Sequence, residues 1–199
     1  MSVTVFIING QAKAGKDTLI KLMEIAAHHL VDQQQAFSSI DSVREAVTSM
    51  GIDVSTKTDR DRDLMSTIGN ALQTHSEHRT KECIDAVLDM NALGGDSILY
   101  LHVREPIIIN QLMNYFEPLP GIDLVRVHLV GCRGLNITSN PSDAGTSNME
   151  YDFKIENNHS FGPLMVQAEN LIATVLSHNV HWDLADKRRP EGHRDYKET

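Results

Sequence analysis

Gly10-Gln11-Ala12-Lys13-Ala14-Gly15-Lys16-Asp17-Thr18 decides how this chain folds. An apolar run, Val3-Thr4-Val5-Phe6-Ile7-Ile8, precedes it, and a segment with helical periodicity follows. Strand, glycine-bounded loop and helix, in that order, form the context in which the Walker A pattern G-x-x-x-x-G-K-[ST] has physical meaning. The backbone N–H groups of such a loop wrap a phosphate, and the helix N-terminus behind it adds partial positive charge. Residues Gly10 to Thr18 are therefore the expected binding loop for a nucleoside triphosphate, with Lys16 reaching its β- and γ-phosphates. The strict pattern has a hydroxyl directly after the lysine. Here Asp17 holds that place and the hydroxyl comes at Thr18. Thr18 and Asp17 are the candidate ligands of a magnesium ion or its water shell. The alternative is a glycine-punctuated turn that only packs helix against strand.

Working outward, residues 3–9 read as a buried strand, apolar on both faces. Leu19, Leu22, Met23, Ala26 and Leu30 share one face of the next helix. A short strand is expected at Ala36-Phe37-Ser38-Ser39-Ile40, and a helix with Val43, Ala46, Val47 and Met50 inward stops at Gly51. The polar stretch 52–63 leads to a helix carrying Leu64, Met65, Ile68 and Leu72 inward. Another helix runs from about Glu77 to Leu93. Strands are expected at Ser97–Val103, Leu124–Val130 and Tyr151–Ile155. Pro106 opens a helix between the first two of these, and Ser160 can cap a last one. Residues 131–150 read as loop, and the charged tail from about residue 181 as mobile. Five strands alternating with helices imply an α/β fold: one mainly parallel sheet with helices on both faces. Residues 1–180 would form one domain, with a helical insert at about 41–93.

Ligands of such sheets bind beyond the carboxyl ends of the strands. Ser39–Asp41, His102–Arg104, Gly131–Arg133 and Asn157 all follow strands and should converge there with the phosphate loop. Phosphoryl transfer asks for positioned phosphates, magnesium and cations around the developing charge. Arg104, Arg133, Lys57, Arg60 and Arg62 offer such cations, and the planar guanidinium matches phosphate oxygens two at a time. Each is also readable as a solvated surface charge. Asp41 can orient an acceptor, hold a magnesium-bound water or simply cap the following helix.

The 199 residues carry a net charge of −9, which speaks against a sequence-independent grip on nucleic acid. The 41% hydrophobic content suffices for a core, yet no apolar run reaches the ~20 residues that span a bilayer. Two cysteines, Cys83 and Cys132, build neither a disulfide framework nor a zinc site. The ten histidines show no recognised metal-ligand spacing; the pairs His28/His29 and His75/His78 read as surface. A cytoplasmic protein without membrane or nucleic-acid partners is expected, its oligomeric state open, with a homodimer among the options.

Four stretches together resemble the P-loop nucleoside monophosphate kinases, most closely the phage and bacterial deoxynucleoside monophosphate kinase type. These are Gly15-Lys16-Asp17-Thr18; Phe37 to Val43 with Lys57 and Arg62-Asp63-Leu64-Met65; Val103-Arg104-Glu105-Pro106; and Asn140-Pro141-Ser142-Asp143 with Tyr151 to Asn158. The likeness spans residues 3 to about 178. It implies a P-loop NTPase fold and a magnesium-dependent kinase of deoxynucleotide metabolism. Such an enzyme moves the ATP γ-phosphate to a nucleoside monophosphate. Lys16 and the loop amides would hold the donor. Ser39, Asp41, Lys57 and Arg62 would hold the acceptor, Arg104 and Arg133 would close over the transferring group, and residues about 131–150 would form a short lid-like loop. The chain departs from the family at His102, where an aspartate is usual. A magnesium-organising carboxylate would then fall to Asp41, Asp17 or Glu105.

Overall fold

The computed structural model describes residues 2–10, 14–56, 58–131, 149–157 and 160–184, with side chains to 177. Gln11, Ala12, Lys13, Lys57, Cys132, Arg133, Asn140 to Asp143, Asn158 and the tail after 184 lie outside the described residues. The elements run β1 (Val3–Gly10), α1 (Lys16–Ala27), β2 (Gln33–Ser38), α2 (Asp41–Ser49), α3 (Asp59–Ser76) and α4 (His78–Leu93). They continue through β3 (Ser97–His102), α5 (Pro106–Phe116), β4 (Ile122–Gly131), β5 (Phe153–Asn157) and α6 (Phe161–Leu184).

The strands form a five-stranded sheet in the order β2-β3-β1-β4-β5, every pairing parallel. β1 occupies the centre and is buried along its whole length, which is why its apolar run is unbroken. Its side chains alternate between two cores, as a pleated strand requires. Phe6 and Ile8 pack with Leu19, Leu22 and Met23 of α1 and Leu164, Ala168 and Leu171 of α6. Val3, Val5 and Ile7 pack on the other side with Cys83 and Val87 of α4 and Ile108, Ile109 and Leu112 of α5. The sheet is thus covered on both faces, as its parallel topology demands. A third, smaller cluster joins Val43 and Val47 of α2 to Val54 and to Met65 of α3. This pair of helices carries its own core beside the sheet.

Four local readings are corrected. β2 begins at Gln33, three residues before the apolar signal at Ala36. It is an edge strand whose side chains need not be apolar. Gln34 earns its place through hydrogen bonds, accepting from the Tyr100 hydroxyl (2.8 Å) and donating to the Glu24 carbonyl (3.2 Å). Ser39 and Ile40 fall beyond the strand, in the turn into α2. Leu30 is exposed rather than inward, because α1 ends at Ala27 and the helical phase stops there. α3 starts at Asp59, inside the charged run, because Thr58 and Asp61 form a reciprocal capping box. The Asp61 amide donates to the Thr58 hydroxyl and the Thr58 amide donates to the Asp61 carboxylate. Those bonds hold the Asp61 carboxyl below its ordinary pKa. α6 continues in its backbone to Leu184, past the expected end near 180.

Among the described residues no helix is long and apolar enough to cross a membrane.

Candidate active site

The carboxyl ends of β1, β2 and β3 open onto a cavity of about 470 Å³. On the β1 side the chain turns at Gly15, whose φ of 97° and ψ of 29° place it in the left-handed region just before α1. A Cβ at Gly15 would stand 2.5 Å from the Asn157 amide nitrogen, and one at Gly10 2.3 Å from the Leu129 carbonyl oxygen. Both positions therefore demand glycine for conformation and for space. Asn157, at the end of β5, donates to the Ala14 carbonyl at 2.8 Å and braces the loop from the far side. Lys16 is 8% exposed, and its ammonium group donates to the Gly10 carbonyl at 2.7 Å. The lysine thus folds back across the mouth of its own loop. Amides at the N-terminus of α1 and a buried lysine make an anion site.

Asp17 is 77% exposed on the first turn of α1, with its carboxylate 3.6 Å from His102 Nδ1. Burial pushes the His102 pKa below its ordinary value, against the opposing pull of Asp17. The imidazole is thereby favoured as the neutral form. Thr18 is exposed on the same turn and lies outside the cavity wall.

The lining continues through Ser39, Asp41 and Arg44 at the start of α2, Arg62 on α3 and Arg104 beyond β3, with the apolar Phe37, Ile40, Val54 and Met65 among them. Asp41 opens α2 without a side-chain cap bond and pairs instead with Arg44. Arg62, a quarter exposed, reaches Asp59 at 2.8 Å across one helical turn. Arg60 is exposed and forms no part of the wall. The structure thus brings Lys16, Asp17, Ser39, Asp41, Arg62 and Arg104 around one space, beside Gly10, Ala14 and Gly15.

Two residues that support the site escape a reading by motif. Arg79 is 2% exposed and contributes to the cavity lining. It shares the buried stripe of α4 with Cys83, Val87 and Met90. A charged residue at i, i+4, i+8 and i+11 spacing with apolar ones is the signal that marks it. Asn9, fully buried at the end of β1, donates to the Arg104 carbonyl at 3.1 Å and accepts from the Gly10 amide. Glu105 is drawn to Arg79 at 2.7 Å, which explains why this carboxylate is not an open ligand. Cys83 is inert packing: burial pushes its thiol up to about 12.

Among the described residues no three His, Cys, Asp or Glu side chains cluster closely enough to hold a metal ion by themselves. The single exposed carboxylate of Asp17 at the loop suits an ion held mainly by phosphate oxygens and water, the usual manner for magnesium.

Sheet order, glycine-bounded loop and position of the cavity define an α/β P-loop NTPase fold. Solved structures similar to this chain include kinases. The Cys556Ala mutant of Mycobacterium tuberculosis APS kinase CysC is 14% identical, with 87% of this chain and 97% of that chain covered at a TM-score of 0.50. The same kinase in complex with AMPPNP and APS is also 14% identical, covering 87% and 98% at a TM-score of 0.50. A gluconokinase from Sinorhizobium meliloti covers 92% and 96% at 17% identity and a TM-score of 0.41. The sequence matches no protein-family model and no functionally curated protein.

Proposed function

We propose that this protein is an ATP-dependent kinase of nucleoside monophosphates, with deoxynucleoside monophosphates as the favoured acceptors. One observation carries the reading: the cavity that Lys16 and Asp17 line is walled as well by arginines, Arg44, Arg62 and Arg104, and by the apolar Phe37, Ile40, Val54 and Met65. A ligand with an anionic end and a flat, weakly polar end matches that wall. The APS kinase of similar fold, captured with AMPPNP and APS, supports a triphosphate on the loop and a small acceptor opposite it.

In this reading the loop amides and Lys16 hold the β- and γ-phosphates. Arg62 binds the acceptor phosphate, and Ser39 and Asp41 orient the rest of the acceptor. Lys57 shares the acceptor phosphate with Arg62. Arg104 and Arg133 neutralise charge that builds on the transferred group, the role for which preorganised cations are most effective. Asp17 and the Thr18 hydroxyl would hold magnesium or its waters, and the ion supplies charge neutralisation between the phosphates. Closure around both substrates excludes water and limits ATP hydrolysis.

A kinase of another small phosphorylated acceptor is the second reading, favoured by the APS kinase likeness in fold. A nucleotide-binding module with weak or no transfer is the third, favoured by His102 beside Asp17, at a place where the family that the sequence resembles often has aspartate. The test is ADP production from magnesium-ATP with each common ribo- and deoxyribonucleoside monophosphate and with APS, for the wild type and Lys16→Ala. Monophosphate-dependent turnover that disappears in Lys16→Ala supports the kinase. Turnover with APS alone favours the second reading, and ATP binding without turnover on any acceptor the third.

A further inference from the structure

Arg79 is the most deeply buried charge on the cavity wall. Its guanidinium grips two chain segments at once. Nε donates to the Ser39 carbonyl at 2.8 Å and Nη2 to the Ser39 hydroxyl at 2.9 Å. Nη2 also donates to the Glu105 carboxylate at 2.7 Å. Ser39 in turn donates its amide to the His102 carbonyl at 3.2 Å, and Asn9 holds the Arg104 carbonyl. The segment His102 to Glu105 is therefore fastened at three points around Arg104. One fastening comes from the acceptor wall, one from the phosphate-loop strand and one from α4.

This arrangement is poorly explained by stability alone. A buried ion pair recovers its desolvation only when every donor is satisfied, and apolar side chains of similar volume often serve folding better. Arg79 Nη1 is buried and has no partner among the described residues. Gly69 of α3 faces it closely: a Cβ there would lie 3.4 Å from Nη1 and, more tightly, 3.2 Å from the Ile40 side chain. A fork that bonds along two edges is suited instead to holding geometry.

We infer that Arg79, paired with Glu105, is a positioning residue that locks the Ser39 wall of the cavity to the Arg104 segment. It sets the distance between the bound acceptor and the cation that meets the transferring phosphate. The inference rests on the kinase reading above. It adds a residue that need not touch either substrate, yet governs how productively they meet.

The decisive variant is Arg79→Met combined with Glu105→Leu, which removes both charges and leaves no lone buried ion. The double variant should fold and bind ATP as the wild type does. Its kcat for acceptor phosphorylation should fall about 100-fold, the usual consequence of misplacing reactants by an ångström. The KM for ATP should hold, and the share of ATP hydrolysed without transfer should rise. A folded double variant with wild-type kcat and wild-type coupling overturns the inference. Arg79→Lys serves if the double variant does not fold: it keeps the charge and loses the fork. It should show the same kcat loss and uncoupling, and wild-type values for both overturn the inference. Wild-type protein that phosphorylates no nucleoside monophosphate defeats the kinase reading on its own. The positioning role is then decided by a crystal structure of the double variant, or of Arg79→Lys where that variant serves. Movement of Ser39 relative to Arg104 by more than about 0.5 Å supports it, and superposition within that distance overturns it.

Discussion

The two walls of the cavity are built by opposite means. The phosphate-loop wall is fixed by backbone: glycines pressed against carbonyl and amide groups, a buried lysine and the end of the central strand. The opposite wall is fixed by side chains on α2 and α3, helices with a small core of their own and charges paired within single helical turns. The first construction tolerates almost no change and suits a group common to every donor, a chain of phosphates. The second can be rebuilt one side chain at a time, which is what discrimination among acceptors requires.

The comparison can be broken most directly at Lys16. Lys16→Ala should lower phosphate transfer about 10²–10³-fold, the loss seen when one preorganised charge donor is removed. Steady-state ADP release checks it, and a loss below tenfold would mean that the rigid wall is not the catalytic one. Gly10→Ala forces a Cβ to 2.3 Å from the Leu129 carbonyl at a φ of 150°. It should destabilise the fold by about 1–3 kcal/mol by overpacking, read from urea denaturation. Arg62→Ala, on the adaptable wall, should raise the acceptor KM about tenfold, the worth of one hydrogen bond to a charged group, and leave the ATP KM unchanged.

A pH experiment sharpens the contrast from beside the rigid wall, where His128 of β4 lies opposite Asn9. Burial lowers the His128 pKa below its ordinary 6.5, with Lys154 adding to the effect. Its Nδ1 is buried without a hydrogen-bond partner among the described residues. The unfolded chain then binds this proton more readily than the folded one, so stability rises with pH across that interval and falls on acidification. Thermal melts between about pH 7 and 5 should show the decline, and His128→Phe should flatten its slope. The smallest effect is expected at Asp41. Its pair with Arg44 is nearly half exposed, so Asp41→Asn should change stability by less than about 0.5 kcal/mol. A change in acceptor KM in that variant would then report on binding alone.

The rigid wall was largely legible in the sequence because its signals are local. Glycines at fixed spacing, a lysine and a flanking apolar strand all lie within Val3 to Thr18. The parallel sheet followed from the alternation of strand and helix patterns. The adaptable wall was less legible. Ser39, Asp41 and Arg62 could be named from their places after a strand or in a charged run, and Arg104 likewise beyond β3, but Arg79 could not, nor could Asn9 on the central strand. Both are polar residues embedded in apolar stripes, and their partners, Glu105 and the Arg104 carbonyl, are distant in the chain. Periodicity reports which face is inward and says nothing of what a polar group on that face will meet. β2 was misplaced for the same reason, since its first residues are held by Tyr100 and Glu24 and not by burial.

The central position of β1 has a kinetic consequence. Its two neighbours in the sheet pair Val3 with Ser97 and with Ile122. The strand that carries the phosphate loop is synthesised ahead of both partners and waits, apolar on both faces, until they arrive. Such non-local parallel pairing slows folding and leaves hydrophobic surface open to association meanwhile. The nascent chain therefore passes through a period in which its most function-bearing segment is also its most aggregation-prone, and chaperone dependence should concentrate there.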